Sequence, residues 1–146
     1  MNNSIHSFEI DDFGSYFRGH GLAATHQRMA IFQELANTKQ HPDAETIYKG
    51  VRTKLPSISL DTVYRTLRTF EDKGMIMRVT TTGERARYDA ETRQHSHFVC
   101  TKCGMVADMH EVETGNYNDI ESSVGTVSSV CVEFRGICKN CQNGKD

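Results

Sequence analysis

Apolar side chains recur at helical spacing through the first half of the chain, and β-prone runs replace them in the second, so helices are predicted first and strands later. In LAATHQRMAIFQELA, beginning at Leu22, residues Met29, Ile31, Phe32 and Leu35 mark one helical face, and Thr25 is placed to cap its start. A second helix is expected around HPDAETIY, with Pro42 in its first turn. It should end near Leu55, because Pro56 disfavours helical geometry in the residue before it. The third, in ISLDTVYRTLRTFEDKG, has the clearest pattern: Leu60, Val63, Tyr64, Leu67 and Phe70 form an apolar stripe. Ser59 is a natural N-cap, Asp61 suits the positive helix end, and Gly74 sits where a C-terminal cap belongs.

The opposite face of that helix carries Thr62, Arg65, Thr66, Arg68 and Thr69, side chains that hydrogen-bond to phosphates and base edges. Two helices joined by a short turn, the second basic on its outer face, form a helix-turn-helix. MIMRVTTTGERARYD then reads as a hairpin with Arg85 and Arg87 on its return arm, which makes the whole a winged helix. A generic small domain with an exposed polar helix face fits the same pattern. Further on, HSHFVC, MVADMH and TVSSVCVEF are β-like, and EVETGNYNDIESSVG between them is a helix of poor quality. The fold class expected is α+β: a winged helix-turn-helix over residues 1–90, then a small α/β domain over 91–146, with the boundary between Tyr88 and Arg93.

Composition changes this picture in two ways. Hydrophobic residues are 37% of 146, low for one packed globule, which suggests two modest cores, at least one of them helped by something other than apolar burial. The net charge is −2, yet from Lys49 to Arg87 nine Lys and Arg face four Asp and Glu, whereas from Asp89 onward five basic residues face nine acidic ones. A basic middle is suited to phosphate and an acidic end to cations or a partner subunit. No apolar run is long enough to cross a bilayer, and MNNSIHSFEIDDF lacks the apolar region of a signal peptide. A cytoplasmic setting, with reduced thiols and no membrane partner, is the expectation.

Two groups of residues carry candidate chemistry. Cys100-Thr-Lys-Cys103 and Cys138-Lys-Asn-Cys141 are paired C-x-x-C turns, and four thiolates so arranged suit tetrahedral Zn²⁺. With no open position such a site is structural, and its binding free energy, on the order of 10 kcal/mol, becomes folding free energy. Cys131 lies outside the pairs and reads as a strand residue. The second group is Asp89, His95, His97 and Asp108, whose nitrogen and oxygen donors suit Fe²⁺, Mn²⁺ or Zn²⁺. An exposed polar strand accounts for that spacing equally well.

HPDAETIY, ISLDTVYRTLRTFEDKGMI, RYD, HSHFVCTKCG and GICKNC, in this order across nearly the whole chain, resemble the ferric uptake regulator (Fur) superfamily of homodimeric metalloregulators. The resemblance implies a DNA-binding winged helix followed by a dimerisation domain. It places structural zinc on Cys100, Cys103, Cys138 and Cys141, and a regulatory ion, Fe²⁺ or Mn²⁺, on His41, Asp89, His95, His97 and Asp108. His41 thus joins the cluster only through the resemblance. It further implies contacts to double-stranded operator DNA from Tyr64 and Arg65 with Ser59 and Thr62, although Tyr64 also belongs to the apolar stripe. The partners implied are operator DNA and a second copy of the chain, with no small organic ligand.

Asp rather than Glu at position 108, and no His in TVSSVCVEF, resemble the peroxide-sensing repressors of the superfamily more than the iron-sensing ones. In those repressors peroxide oxidises a ligand histidine, matching His41 or His95, and oxidative-stress genes are derepressed. An iron-uptake or zinc-sensing repressor without peroxide reactivity is the alternative. An enzyme is not expected, because no general base or cofactor motif accompanies the ligands. His26 stands where the family commonly has Pro, and His6, His20 and His110 match no ligand.

Overall fold

The computed structural model describes residues 10–79, 85–93, 95–110, 124–126, 130 and 132–144. The chain divides into two compact units, Met1–Thr92 and Arg93–Asp146. The first is built from α1 (Ile10–Gly19), α2 (His26–Ala36), α3 (Ala44–Arg52), α4 (Leu60–Asp72) and the strands β1 (Met77–Val79) and β2 (Arg87–Asp89).

Each of its later helices starts on a side-chain cap that satisfies an amide the helix cannot. Thr25 accepts from the Arg28 amide at 3.3 Å, Asp43 from Thr46 at 2.8 Å and Ser59 from Thr62 at 3.1 Å. Pro42 therefore precedes the cap of α3 instead of lying in its first turn, and α3 ends at Arg52, short of Leu55. At the other end of α4 the chain turns out through Gly74, whose φ of +70° a side chain would strain, while the Met75 amide bonds back to the Phe70 carbonyl at 2.9 Å.

The core of this unit gathers Ile31, Phe32 and Leu35 of α2, Ile47 and Val51 of α3, and Val63, Leu67 and Phe70 of α4. The chain before Leu22 also forms a helix, which the apolar pattern alone did not predict. Its Phe13 and Phe17 are buried, and Phe17, Phe32 and Phe70 meet edge-to-face with centroids 5.5–5.8 Å apart. Tyr64 departs from the apolar stripe: it is 47% exposed, while Val63 beside it is fully buried. Strands β1 and β2 pair antiparallel, with Arg78 opposite Tyr88, and form the wing. The turn expected between them, at 80–84, lies outside the described residues.

The second unit is a three-stranded sheet in the order β4-β3-β5, with β3 (Ser96–Cys100) central, β4 (Val106–Met109) antiparallel to it and β5 (Glu133–Gly136) parallel to it. A short helix, α5 (Lys139–Gln142), follows. Among the described residues its buried apolar side chains are few: Val99, Cys100, Val106 and Cys138. The poor helix expected at EVETGNYNDIESSVG falls largely outside the described residues, and Cys131 falls wholly outside them. No described helix is long and apolar enough to cross a membrane.

Candidate metal centres

At the C-terminal end of β3 the chain reverses through a tight turn that brings Cys103 back toward Cys100. The Gly104 amide donates to the Cys100 carbonyl at 2.9 Å, and Gly104 has a φ of +74°, so the turn needs glycine. The parallel strand β5 delivers the second pair to the same place. The Thr101 amide donates to the Gly136 carbonyl at 2.8 Å, and Cys138 stands at the start of α5 with Cys141 one turn on. All four sulfurs lie within 4.8 Å of one another, and Sγ of Cys103 and Cys138 are 3.8 Å apart. A zinc–sulfur bond of about 2.3 Å in a tetrahedron separates sulfurs by about 3.8 Å, so donors and spacing fit that ion.

The backbone prepares these thiols unequally. The Cys138 amide donates to Cys100 Sγ at 3.3 Å, and this bond with others from the turn lowers the Cys100 thiol to about 6. Burial, reinforced by the neighbouring sulfurs, pushes Cys141 up to about 12.

The other end of β3 carries imidazoles. His97 is opposite Asp108 in the β3–β4 register, and His95 lies just before the strand on the same side. His95 Nε2 is 3.1 Å and His97 Nε2 3.5 Å from the same carboxylate oxygen, Asp108 Oδ1, with both rings almost wholly buried. His95 Nδ1 faces the Arg93 carbonyl at 2.7 Å, which fixes a proton on Nδ1 and leaves Nε2 with a lone pair in the neutral ring. A lone pair facing a carboxylate oxygen at that distance requires a cation between or beside them, either a proton or a metal ion.

Within the first unit His41 and Asp89 make a similar pair, Nε2 to Oδ2 at 3.2 Å, with His41 2% exposed. His41 has a φ of +49°, a conformation that costs a residue with a Cβ about 1 kcal/mol. Contacts with β2 hold it there: its carbonyl accepts from Arg87 at 3.0 Å, and the Pro42 carbonyl accepts from the Tyr88 amide at 3.1 Å. Asp89 is anchored in turn, its Oδ1 accepting from the Glu91 amide at 2.8 Å.

The residues expected to meet DNA are distributed unevenly. Tyr64 and Arg65 project from the exposed face of α4, where Arg65 pairs with Asp61 at 3.0 Å, both side chains being about three-quarters exposed. Ser59 and Thr62 are joined at 2.7 Å between hydroxyls, with Ser59 also capping the helix. Arg85 lies outside the strands and bonds Glu45 at 2.9 Å and Asp43 at 3.5 Å, while Arg87 is turned inward to the His41 carbonyl. His20 and His26 belong to the helical unit, where His20 Nδ1 faces the Tyr16 carbonyl at 2.8 Å. His110, which matched no expected ligand, is 3.6 Å from Asp108 Oδ2. Its position two residues after Asp108, just beyond the end of β4, was the available signal.

Residues 19–129 match the ferric uptake regulator family model. The chain is 32% identical to the peroxide-responsive repressor PerR of Staphylococcus epidermidis over 92% of its own length and 91% of that protein's. It is 34% identical to the peroxide operon regulator of Bacillus subtilis, covering 83% and 85% of the two chains. The crystal structure of the Campylobacter jejuni peroxide stress regulator superposes with a TM-score of 0.64 at 26% identity, over 91% of this chain and 99% of that one.

Proposed function

The chain belongs to the ferric uptake regulator family, and on that footing we propose that it is a metal-dependent transcriptional repressor that releases its operator when peroxide oxidises one of its own ligand histidines. The observation that carries this reading is the convergence of two buried imidazole nitrogens on one oxygen of Asp108, a donor set that calls for a cation. The similarity to peroxide-responsive repressors supports peroxide as the signal.

The four cysteines hold Zn²⁺, which stabilises a unit that has few buried apolar residues among those described. The pair His41–Asp89 and the trio His95, His97 and Asp108 serve as the two halves of one regulatory set for Fe²⁺ or Mn²⁺. An ion that needs both halves favours one arrangement of the two units, and its differential affinity sets how far the population shifts toward DNA binding. Bound iron supplies the redox chemistry that manganese lacks. In the balance, peroxide gives one oxygen atom to an imidazole carbon of His41 or His95 and leaves the other as water. The modified ring is a poorer ligand, so the ion is lost and the operator freed. One protein is consumed per event, which makes the chain a regulator and not a catalyst.

The α4 face with Tyr64 and Arg65 meets the major groove of double-stranded operator DNA, and Ser59 and Thr62 stand at its leading end. Arg85 reaches phosphate only by giving up Glu45 and Asp43. Arg87 supports His41. The working form is a homodimer, acting in the cytoplasm where its operator is, without an organic ligand.

DNA fragments selected from the source genome by the Mn²⁺-loaded protein provide the test. Binding to them should require metal, and a low dose of peroxide should abolish it for the Fe²⁺ form and spare the Mn²⁺ form. Equal binding with and without metal would refute the metal-dependent repressor. Metal-dependent binding that survives peroxide in both forms would instead leave an iron- or zinc-sensing repressor.

A further inference from the structure

The two oxygens of Asp108 face different company. Oδ1 receives His95 Nε2 and His97 Nε2, at 3.1 and 3.5 Å. Oδ2 looks the other way, toward His110 Nε2 at 3.6 Å. His110 also lies over His95, with ring centroids 5.0 Å apart and planes inclined by 33°. Its own side chain is 52% exposed, against 12% for Asp108 and 2% for His95, so it forms the solvent-side wall of this cluster.

A carboxylate can bind a cation through one oxygen or through both. One-oxygen binding leaves a coordination position open; two-oxygen binding fills it. The choice is set by whatever holds the second oxygen. An imidazole N–H is a suitable holder, and closing the gap at Oδ2 to a hydrogen bond takes a shift of about half an ångström.

We propose that His110 is a positioning residue of the regulatory metal site: it donates to Asp108 Oδ2, commits Asp108 to bind through Oδ1 alone, and by lying against His95 keeps that ring aligned. This rests on the regulatory-ion reading above and deepens it. His110 is not itself a ligand. It sets the affinity and the coordination number of the ion, and hence whether a position is left for a further molecule.

The test uses the zinc-loaded full chain, so that added Co²⁺ or Mn²⁺ reports only on the second site. His110→Ala should weaken Mn²⁺ binding about tenfold, the usual scale for an outer-shell partner. It should also reduce the visible absorption of bound Co²⁺, because a fully chelating carboxylate raises the coordination number and higher-coordinate cobalt absorbs more weakly. His110→Gln keeps an N–H donor in reach and should restore both readings. Since the side chain is half exposed, the melting temperature without the second metal should be unchanged in either variant.

An Ala variant with the native Mn²⁺ affinity and cobalt spectrum would overturn the proposal. Equal losses in Ala and Gln would overturn it differently, by making the ring nitrogen a ligand. Failure of the underlying reading has its own signature: native protein would then show no cobalt band that Asp108→Ala removes.

Discussion

Strand β3 carries Cys100 at one end and His97 near the other, and the two ends hold contrasting donor sets on one sheet. The cysteine end is all sulfur, four donors from two local turns, gathered within 4.8 Å of one another with Cys103 and Cys138 at the 3.8 Å expected of a tetrahedron. The histidine end is nitrogen and oxygen, with the two buried imidazoles of His95 and His97 on Asp108 Oδ1 and His110 near Oδ2. Four thiolates close on an ion and leave nothing to exchange, which suits holding a small fold together. Imidazoles and a carboxylate bind borderline ions less tightly, which suits an ion whose loss is the signal. The lesson is that permanence and responsiveness are set by donor chemistry and completeness, on one strand, a few residues apart.

The largest effect should come from breaking the permanent end. Cys138→Ser removes both a ligand and the thiol against Cys103, and should forfeit a folding contribution on the order of 10 kcal/mol. Zinc content should fall to zero and circular dichroism should show the second unit unfolded; a stable zinc-free protein would remove the distinction between the two ends. His97→Ala should behave in the opposite sense. The chain should keep its zinc and its melting temperature to within a few degrees, but lose Mn²⁺ affinity by at least about a hundredfold, and metal-dependent DNA binding with it. Titration calorimetry on zinc-loaded protein reads this directly, and concurrent loss of zinc would show that the ends are not independent.

A smaller effect is expected on the face of α4. Arg65→Ala should weaken operator binding about tenfold and lower the slope of log affinity against log salt by about one, with both metal sites untouched. Fluorescence anisotropy across a salt series gives both numbers, and an unaltered slope would take Arg65 off the phosphates or bases.

The two donor sets also differed in how far the sequence disclosed them. C-x-x-C is itself a geometry, since the spacing creates the turn that gathers the sulfurs, so Cys100, Cys103, Cys138 and Cys141 were legible before any fold was known. His97 and Asp108 were legible as strand neighbours, because a hairpin register makes them a pair. His41 was not: its tie to Asp89 depends on β2 returning to the start of α3, and only the family resemblance named it. In the helical unit the caps Thr25 and Ser59 were readable because capping is local. Helix α1 was missed, although Phe13, Tyr16 and Phe17 have helical spacing, because its burial depends on Phe32 and Phe70 far along the chain. Tyr64 was placed on the buried stripe by periodicity alone. Where that stripe stops is decided by the elements packed against α4, and they leave Tyr64 outside.

Peptide mass spectrometry of anaerobically Fe²⁺-loaded protein after a brief, low dose of peroxide bears most directly on the responsive end. One added oxygen on His41 or His95, seen with iron, absent with manganese and accompanied by loss of operator binding, is the result expected of a peroxide sensor. Unmodified histidines, with operator binding still dependent on iron, would contradict that role and leave a repressor that senses the metal alone.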